Sequence, residues 1–491
     1  MISGYMSLPE NLTEEQKAAV TADPSVPLLV LAGAGCGKTT VLIRRIAWCA
    51  ETFCPADRIL ALTFTRKAAQ EMDERLKGID LLTSTGKMPL VTTFHGFAHR
   101  VIHEKMKGQA NWQRLGYTVK PELLTKEQRL ALLAGVSTAD QRQALGADIE
   151  KLDSLLERIT VNPGRRSALS ASHLEILDLI DKRLSEAKKD RRAWEFSDMI
   201  QSTLKLFDSF PEIADEYARR FSLILVDEFQ DTNPLQINML NRLLIHHKRL
   251  FAVGDDDQAI YGFRGADTGP ILRFEEQFPG ARICALQVNF RSTPAILGSA
   301  NRIFSDKPAK YRKVLRAGLD MHQGPSPRKV RCHSPRHLAE WICKSAAKIQ
   351  SREKIPIHRM AVLFRLNATL DQLRGIYCGI AGGEDAVMPQ FHTVHGAKGL
   401  EFPVVFLCDL EESIFPYYRE KHSHRIHSWT DLLRALLRKK RSGDVDFDEE
   451  RRLFYVGVTR AARRLFCISM KEKEIFGKRV RLKRSRFLKL F

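Results

Sequence analysis

The chain has 491 residues and is 44% hydrophobic, enough for roughly three domains and too apolar for a disordered polymer. Lysine and arginine outnumber aspartate and glutamate 78 to 58, a formal charge of +20 that points to a polyanionic partner, a solubilising basic surface being the plainer reading. No apolar run of 18 or more residues is present to span a membrane, and the nine cysteines contain no C-x-x-C pair, which argues against a zinc site or a disulfide framework.

The N-terminus, "MISGYMSLPENLTEEQ", lacks the charged and apolar regions of a secretory leader, so a reducing cytoplasm is expected. Residues 28–33, "LLVLAG", read as a buried strand, followed by a helix from Lys38 to about Ala50. "RILALTF" (58–64) with "RKAAQEMDERL" (66–76), and then "PLVTTFHGFAHRVI" (89–102), repeat strand and helix, the pattern of a parallel sheet covered on both faces. From 103 to 195 leucines recur at helical spacing among charged residues, as in a helical insertion. "FSLILVDEFQD" (221–231) and "RLFAVGDDDQ" (249–258) resume the first sheet. A second α/β region is expected from Ala281, with strands in 281–292, 329–334, 359–365, 403–410 and 464–469. No internal repeat is visible by residue identity, although the two sheets could share an architecture.

Residues 31–40, "LAGAGCGKTT", follow a strand and open a helix. Glycines allow the backbone N–H groups of Gly33, Ala34, Gly35, Cys36 and Gly37 to cradle phosphate oxygens, and the helix N-terminus adds positive potential. Lys38 would reach the β- and γ-phosphates of ATP, and Thr39, beside Thr40, would hold Mg²⁺ through its hydroxyl. The strict G-x-x-x-x-G-K-[ST] pattern has glycine where Ala32 stands, and alanine fits there if its φ is negative. In "LILVDEFQD" (223–231), four apolar residues lead to Asp227 and Glu228 at a strand end. Asp227 would order the Mg²⁺ shell and Glu228 would accept a proton from the attacking water. An acidic loop cap is the plainer reading of that segment alone; with the phosphate loop it points to nucleoside triphosphate hydrolysis.

Further blocks occur in order: "NLTEEQKAAV" (11–20), "TFTRKAAQEM" (63–72), "TFHGFAHR" (93–100), "FSDMI" (196–200), "VDEFQDTNPLQ" (226–236), "GDDDQAIYGFRGAD" (254–267), "NFRST" (289–293), "TVHGAKGLEF" (393–402) and "RRLFYVGVTRA" (451–461). In these the chain resembles the UvrD/Rep-like branch of superfamily 1 DNA helicases. The resemblance implies two RecA-like cores with ATP in the cleft between them. It implies that Gln16 reads the adenine edge, Phe290 stacks on the adenine and Glu401 holds the ribose. Gln258 would sense the γ-phosphate, with Arg291 and Arg460 as arginine fingers. Phe64, Arg66, His95, Tyr261, Phe263, Arg264 and His395 would form the DNA track, where stacking is worth ~1–3 kcal/mol per base and is indifferent to sequence. The family usually has a larger indole at the position of Phe263. Asp255, Asp256 and Asp257 would cap the strand end and face Mg²⁺-ordered water or basic neighbours.

The expected fold is α/β, two RecA-like P-loop NTPase cores with parallel sheets and a helical insertion in the first. The first core takes 1–102 and 196–280, the insertion 103–195 and the second core 281–491. Only about 30 residues separate the strand near 360 from the motif at 393, leaving no room for the helical subdomain, called 2B, of the best-known members. A basic insertion at 417–448 holds "SWTDLLRALLRKKR" (428–441), a helix expected either to contact duplex or a partner, or to pack on the second core. The leading expectation is an ATP- and Mg²⁺-dependent helicase moving 3′-to-5′ on single-stranded DNA and at single-strand/duplex junctions, with no membrane role. The alternative is a DNA-stimulated ATPase subunit working with a protein partner, a nuclease or repair factor, in repair or defence against phage.

Overall fold

The computed structural model describes residues 12–106, 120–262, 269–308, 312–319, 321–383, 387–417, 447–475 and 478–490. They form two compact units, the first made of the chain up to Ala32, Lys38–Asp256 and Tyr261–Leu286, the second of Gly33–Gly37, Asp257–Ile260 and the chain from Gln287. The helix expected at 428–441, and with it Phe263 and Arg264, lies outside the described residues.

In the first unit, helix α1 (Glu14–Thr21) precedes strand β1 (Leu28–Ala32), which is buried along its whole length as a central parallel strand requires. Helix α2 (Lys38–Thr52), strand β2 (Ile59–Thr63), helix α3 (Arg66–Lys77), strand β3 (Leu90–Thr93) and helix α4 (Phe94–Lys105) follow. Helices α5 (Lys126–Val136), α6 (Ile149–Val161) and α7 (Ala171–Asp190) then build a core of their own. On α7, Leu177, Ile180 and Leu184 recur every three or four residues, so one stripe of that helix meets Leu132, Leu133, Leu152 and Leu156. A parallel pair, Glu122–Leu123 with Ala193–Trp194, brings together an early and a late segment of this insertion. Helices α8 (Phe196–Ser209) and α9 (Pro211–Arg220), strand β4 (Leu223–Val226), helix α10 (Pro234–Leu243) and strands β5 (Leu250–Gly254) and β6 (Arg282–Leu286) complete the unit. The sheet runs β3-β2-β4-β5-β1-β6, all parallel, so its strands end along one edge, where ligands of open α/β sheets bind.

Strand β6 corrects the expected boundary at 280/281. The sequence pattern makes it the opening strand of the second sheet, yet it pairs with β1 from Leu28↔Arg282 to Ala32↔Leu286. Its short apolar run suits either sheet, and only a pairing register set far along the chain selects one.

The second unit contains helix α11 (Pro294–Ile303), strand β7 (Arg328–Cys332), helix α12 (Pro335–Glu353), strand β8 (Met360–Phe364), helix α13 (Asn367–Ala381), strand β9 (Gln390–Thr393) and strand β10 (Phe402–Leu407). Helix α14 (Phe447–Thr459), strand β11 (Ala461–Met470) and a hairpin of β12 (Glu472–Ile475) with β13 (Lys478–Arg481) close it. Its sheet runs β7-β11-β10-β8-β9, again all parallel. Its core includes Ile342, Ala346, Met360, Val362, Val404, Phe406 and Ile468.

Candidate nucleotide and nucleic-acid site

Ala32 is the last residue of β1 and extended, so alanine is tolerated where the strict loop pattern has glycine. Gly35 and Gly37 adopt φ of 70° and 80°, the left-handed region that side chains disfavour. Cys36 and Ala34 are buried, Thr39 is half-buried and Thr40 is exposed. Within the second unit, the loop is held by Asn289, whose Nδ2 donates to Ala34 O at 2.6 Å, and by the Phe290 N–H, which donates to Gly35 O at 2.9 Å.

In the first unit, Lys38 Nζ lies 3.8 Å from Glu228 Oε1. Asp227 continues β4 by donating its N–H to Leu62 O at 2.9 Å. Burial, then the Glu228 charge, pushes the Asp227 carboxyl up to about 7, against the opposing pull of Lys38. Glu228 turns away with a left-handed φ of 49°, an uncommon value for a residue with a side chain and one that clusters at functional sites. Gln230 carries no local signal in the sequence. Fully buried, it donates to Glu228 Oε2 and accepts the Asp255 N–H at 2.9 Å, tying the ends of β4 and β5 together. Asp227 and the Thr39 hydroxyl offer hard oxygen donors, a set that fits Mg²⁺.

In the second unit, Arg291 Nε donates to Glu401 Oε2 at 2.6 Å, so two predicted nucleotide residues pair with each other. The Arg291 and Ser292 N–H groups donate to Asn289 Oδ1 at 2.8 and 2.7 Å, so buried Asn289 shapes both the phosphate loop and the turn carrying Arg291. Arg460 is fully buried; its Nη2 donates to Gln258 Oε1 at 3.0 Å and its Nη1 to Leu400 O at 2.9 Å. Lys398, another unpredicted group, donates to Gln258 O at 2.9 Å. Of the three consecutive acids, Asp257 meets basic neighbours, pairing with Lys307 and, at 3.0 Å, with Lys313. Phe290 is 51% exposed, a large apolar face open to a flat ligand. Gln16 spends its side-chain oxygen on the Thr13 N–H, at 3.1 Å, in a capping box on α1.

The predicted DNA residues fall in both units. In the first, Phe64 and Tyr261 stack on each other, centroids 5.3 Å apart and planes 17° from parallel. Arg66 is exposed at the start of α3. His95 is half-buried and burial holds its imidazole below the ordinary value, so at neutral pH it is uncharged. Phe196, part of a motif but without an expected role, is 54% exposed and sits edge-on to His95, centroids 5.8 Å apart. In the second unit, His395 is half-buried, beyond the end of β9.

Comparison with known proteins places the chain in a family. Residues 12–279 match the UvrD/REP helicase N-terminal domain and residues 388–472 the UvrD-like helicase C-terminal domain. The chain is 32% identical over 508 residues to a "Probable DNA helicase" of Mycoplasma pneumoniae, covering 98% of this chain and 87% of that protein. It is 32% identical over 365 residues to the "ATP-dependent DNA helicase PcrA" of Bacillus subtilis (72% of this chain, 47% of that protein). It is also 32% identical over 364 residues to "DNA helicase II" of Rickettsia typhi (72% and 53%), so it spans about half the length of these two relatives. On the N-terminal domain match and the near full-length similarity to the Mycoplasma protein, the chain belongs to the UvrD/Rep family of helicases.

Proposed function

We propose that this protein is an ATP-dependent DNA helicase or translocase moving 3′-to-5′ on single-stranded DNA. The observation that carries the reading is Lys38 set against the Asp227–Glu228 pair at the mouth of a phosphate loop. Water attacks the γ-phosphorus, the bond to the ADP oxygen breaks, and the water proton passes to Glu228, whose carboxylate Gln230 orients. Lys38, Arg291 and Arg460 neutralise charge on the transferring phosphoryl group. Thr39 and Asp227 would hold Mg²⁺, which supplies Lewis-acid stabilisation of the phosphate oxygens. Phe290 stacks on the adenine, Gln16 reads its edge, and Glu401 exchanges its contact with Arg291 for the ribose. Gln258 contacts the γ-phosphate with Arg460 beside it. DNA bases stack on Phe64, Tyr261 and Phe196, flanked by His95 and His395, with Arg66 toward the backbone. The direction of travel follows the resemblance alone.

A second reading is a DNA-stimulated ATPase that separates strands only with a protein partner such as a nuclease or repair factor. It is favoured by the short connection between β8 and β9, which carries α13 where a 2B subdomain would stand. The deciding experiment is ATP-dependent strand separation by the purified chain on duplexes with a 3′ tail, a 5′ tail or none, with Lys38→Ala as control. Unwinding of the 3′-tailed duplex alone is expected. DNA-stimulated hydrolysis without unwinding would select the second reading, and unwinding from the 5′ tail would refute the direction.

A further inference from the structure

A buried ionic cluster joins the helical insertion to the start of α8, and no step above uses it. Arg129 on α5 pairs with Asp153 on α6 and with Glu195. Lys188 on α7 donates to both carboxylate oxygens of Asp198, at 2.9 Å each, and lies 3.5 Å from Glu195 Oε1. The five side chains are between 9% and 14% exposed. The Glu195 N–H donates to Asp198 Oδ2 at 2.8 Å, closing the turn that begins α8.

That turn encloses Phe196 and Ser197, and Phe196, the first residue of α8, is more than half exposed. Five charged side chains no more than 14% exposed, beside a phenylalanine 54% exposed, invert the ordinary distribution of side chains. Removing ions from water is costly, and such clusters are a weak source of net stability; their best-attested use is to select one geometry. The turn that the cluster ties down carries Phe196, whose ring plane stands 86° from that of His95. The cluster also draws on three helices of the insertion: Arg129 from α5, Asp153 from α6 and Lys188 from α7.

We propose that Lys188 and Arg129 are positioning residues for single-stranded DNA: through Glu195 and Asp198 they fix Phe196 as a platform on which a base stacks beside His95. The orientation of the insertion and the stacking face are thereby set together. This inference rests on the single-stranded DNA binding proposed above, and its test separates the two.

The full chain is titrated into an oligothymidylate carrying one 2-aminopurine, whose fluorescence reports stacking, and the DNA dependence of ATP hydrolysis is measured in parallel. Phe196→Ala is expected to weaken binding about tenfold and to change the stacking signal. Lys188→Met is expected to reproduce both effects and to raise the DNA concentration for half-maximal stimulation, with kcat at saturating DNA retained. Lys188→Arg, which keeps the charge, is expected to restore them. Where Lys188→Met does not fold, the Lys188→Met, Asp198→Asn double variant removes one charge of each sign and carries the same expectation. A folded Lys188→Met or double variant with wild-type titration and stacking, beside a weakened Phe196→Ala, overturns the positioning role alone. Failure of the wild-type chain to bind the oligonucleotide overturns the function on which it rests.

Discussion

The two sheets have one topology and different chemistry. Taking strands by their order of appearance, both place the third beside the second, then the fourth, the fifth and the first; among the described residues only β6, flanking β1, has no counterpart. The likeness reaches single residues at the strand ends. Beyond β4, Asp227 donates its N–H to Leu62 O at 2.9 Å; beyond β10, Cys408 donates to Leu363 O at 2.8 Å. Glu228 and Asp409, the next residues, are both left-handed, with φ of 49° and 62°. Gln230 and Glu411, each three residues after the first of these pairs, accept an N–H from the neighbouring strand end, Asp255 and Met470 respectively. Yet β1 leads into a five-residue loop with two left-handed glycines, while β7 reaches α12 through His333 and Ser334, whose hydroxyl caps the helix. A common backbone scaffold therefore hydrolyses nothing by itself. In this reading the hydrolytic role depends on which side chains stand at equivalent strand ends.

The largest effect should come from removing Lys38, the cation that follows the glycine loop of the first sheet. Lys38→Ala is expected to lower kcat for ATP by about three orders of magnitude, because a charge is lost where phosphoryl charge develops. Arg336, in the first turn of α12 on the second sheet, is exposed and pairs locally with Glu340, so Arg336→Ala should leave hydrolysis unchanged. Steady-state ATPase assays with saturating DNA check both. Equal losses would remove the functional asymmetry between the sheets.

Exchange at the equivalent strand-end position sharpens the comparison further. Cys408 is fully buried, and burial keeps its thiol far above its ordinary pKa and neutral. Cys408→Asp puts a carboxylate there and should destabilise the protein by several kcal/mol, read as a lower midpoint in denaturant. Asp227 already bears that strain in the first sheet. Its folded pKa, about 7, lies above the ordinary 3.8, so the folded state holds the proton more tightly. The ligand-free protein should therefore lose stability as pH rises from about 4 to about 7. Asp227→Asn should melt a few degrees higher than the parent above that window while losing Mg²⁺-dependent hydrolysis. Magnesium nucleotide needs the ionised carboxylate, so its affinity should fall by up to about tenfold per pH unit below about 7. Calorimetric titrations on either side of that value test it, and an affinity indifferent to pH would show that Asp227 is already ionised.

Much of this asymmetry is legible in sequence because it is written locally. The glycine loop with Lys38, the apolar run ending in Asp227 and Glu228, and the strand–helix alternation each occupy a few consecutive residues. What escapes is long-range. Asn289 is recognisable as a bracket only through its bond to Ala34, far along the chain, and Lys313 only through Asp257. Strand β6 falls to the wrong sheet in the sequence because register is a pairing property. Phe196 stands in the block at 196–200, but its exposure and its contact with His95 are what suggest a role for it. The common strand order cannot be read from residue identity at all, since equivalent positions carry residues as unlike as aspartate and cysteine.

One short identity does persist between the sheets, and it supports the smallest of these expectations. Both third strands end in threonine followed one residue later by His-Gly: Thr93, His95 and Gly96, then Thr393, His395 and Gly396. In each, the threonine hydroxyl accepts the glycine N–H, at 3.0 and 3.1 Å. The two segments differ in the structure they open. Thr93 caps the twelve-residue helix α4, whereas Thr393 opens a short run of turns before β10. An N-cap is worth more where a helix depends on it, so Thr93→Ala should cost about 1 kcal/mol and Thr393→Ala only a few tenths. Each cap also sets the histidine two residues on, so both variants should weaken DNA binding modestly, Thr93→Ala the more. Serine at either position keeps the hydroxyl and should restore binding. Equal stability losses at the two positions would mean that the tetrapeptide itself, and not the helix it caps, carries the energy.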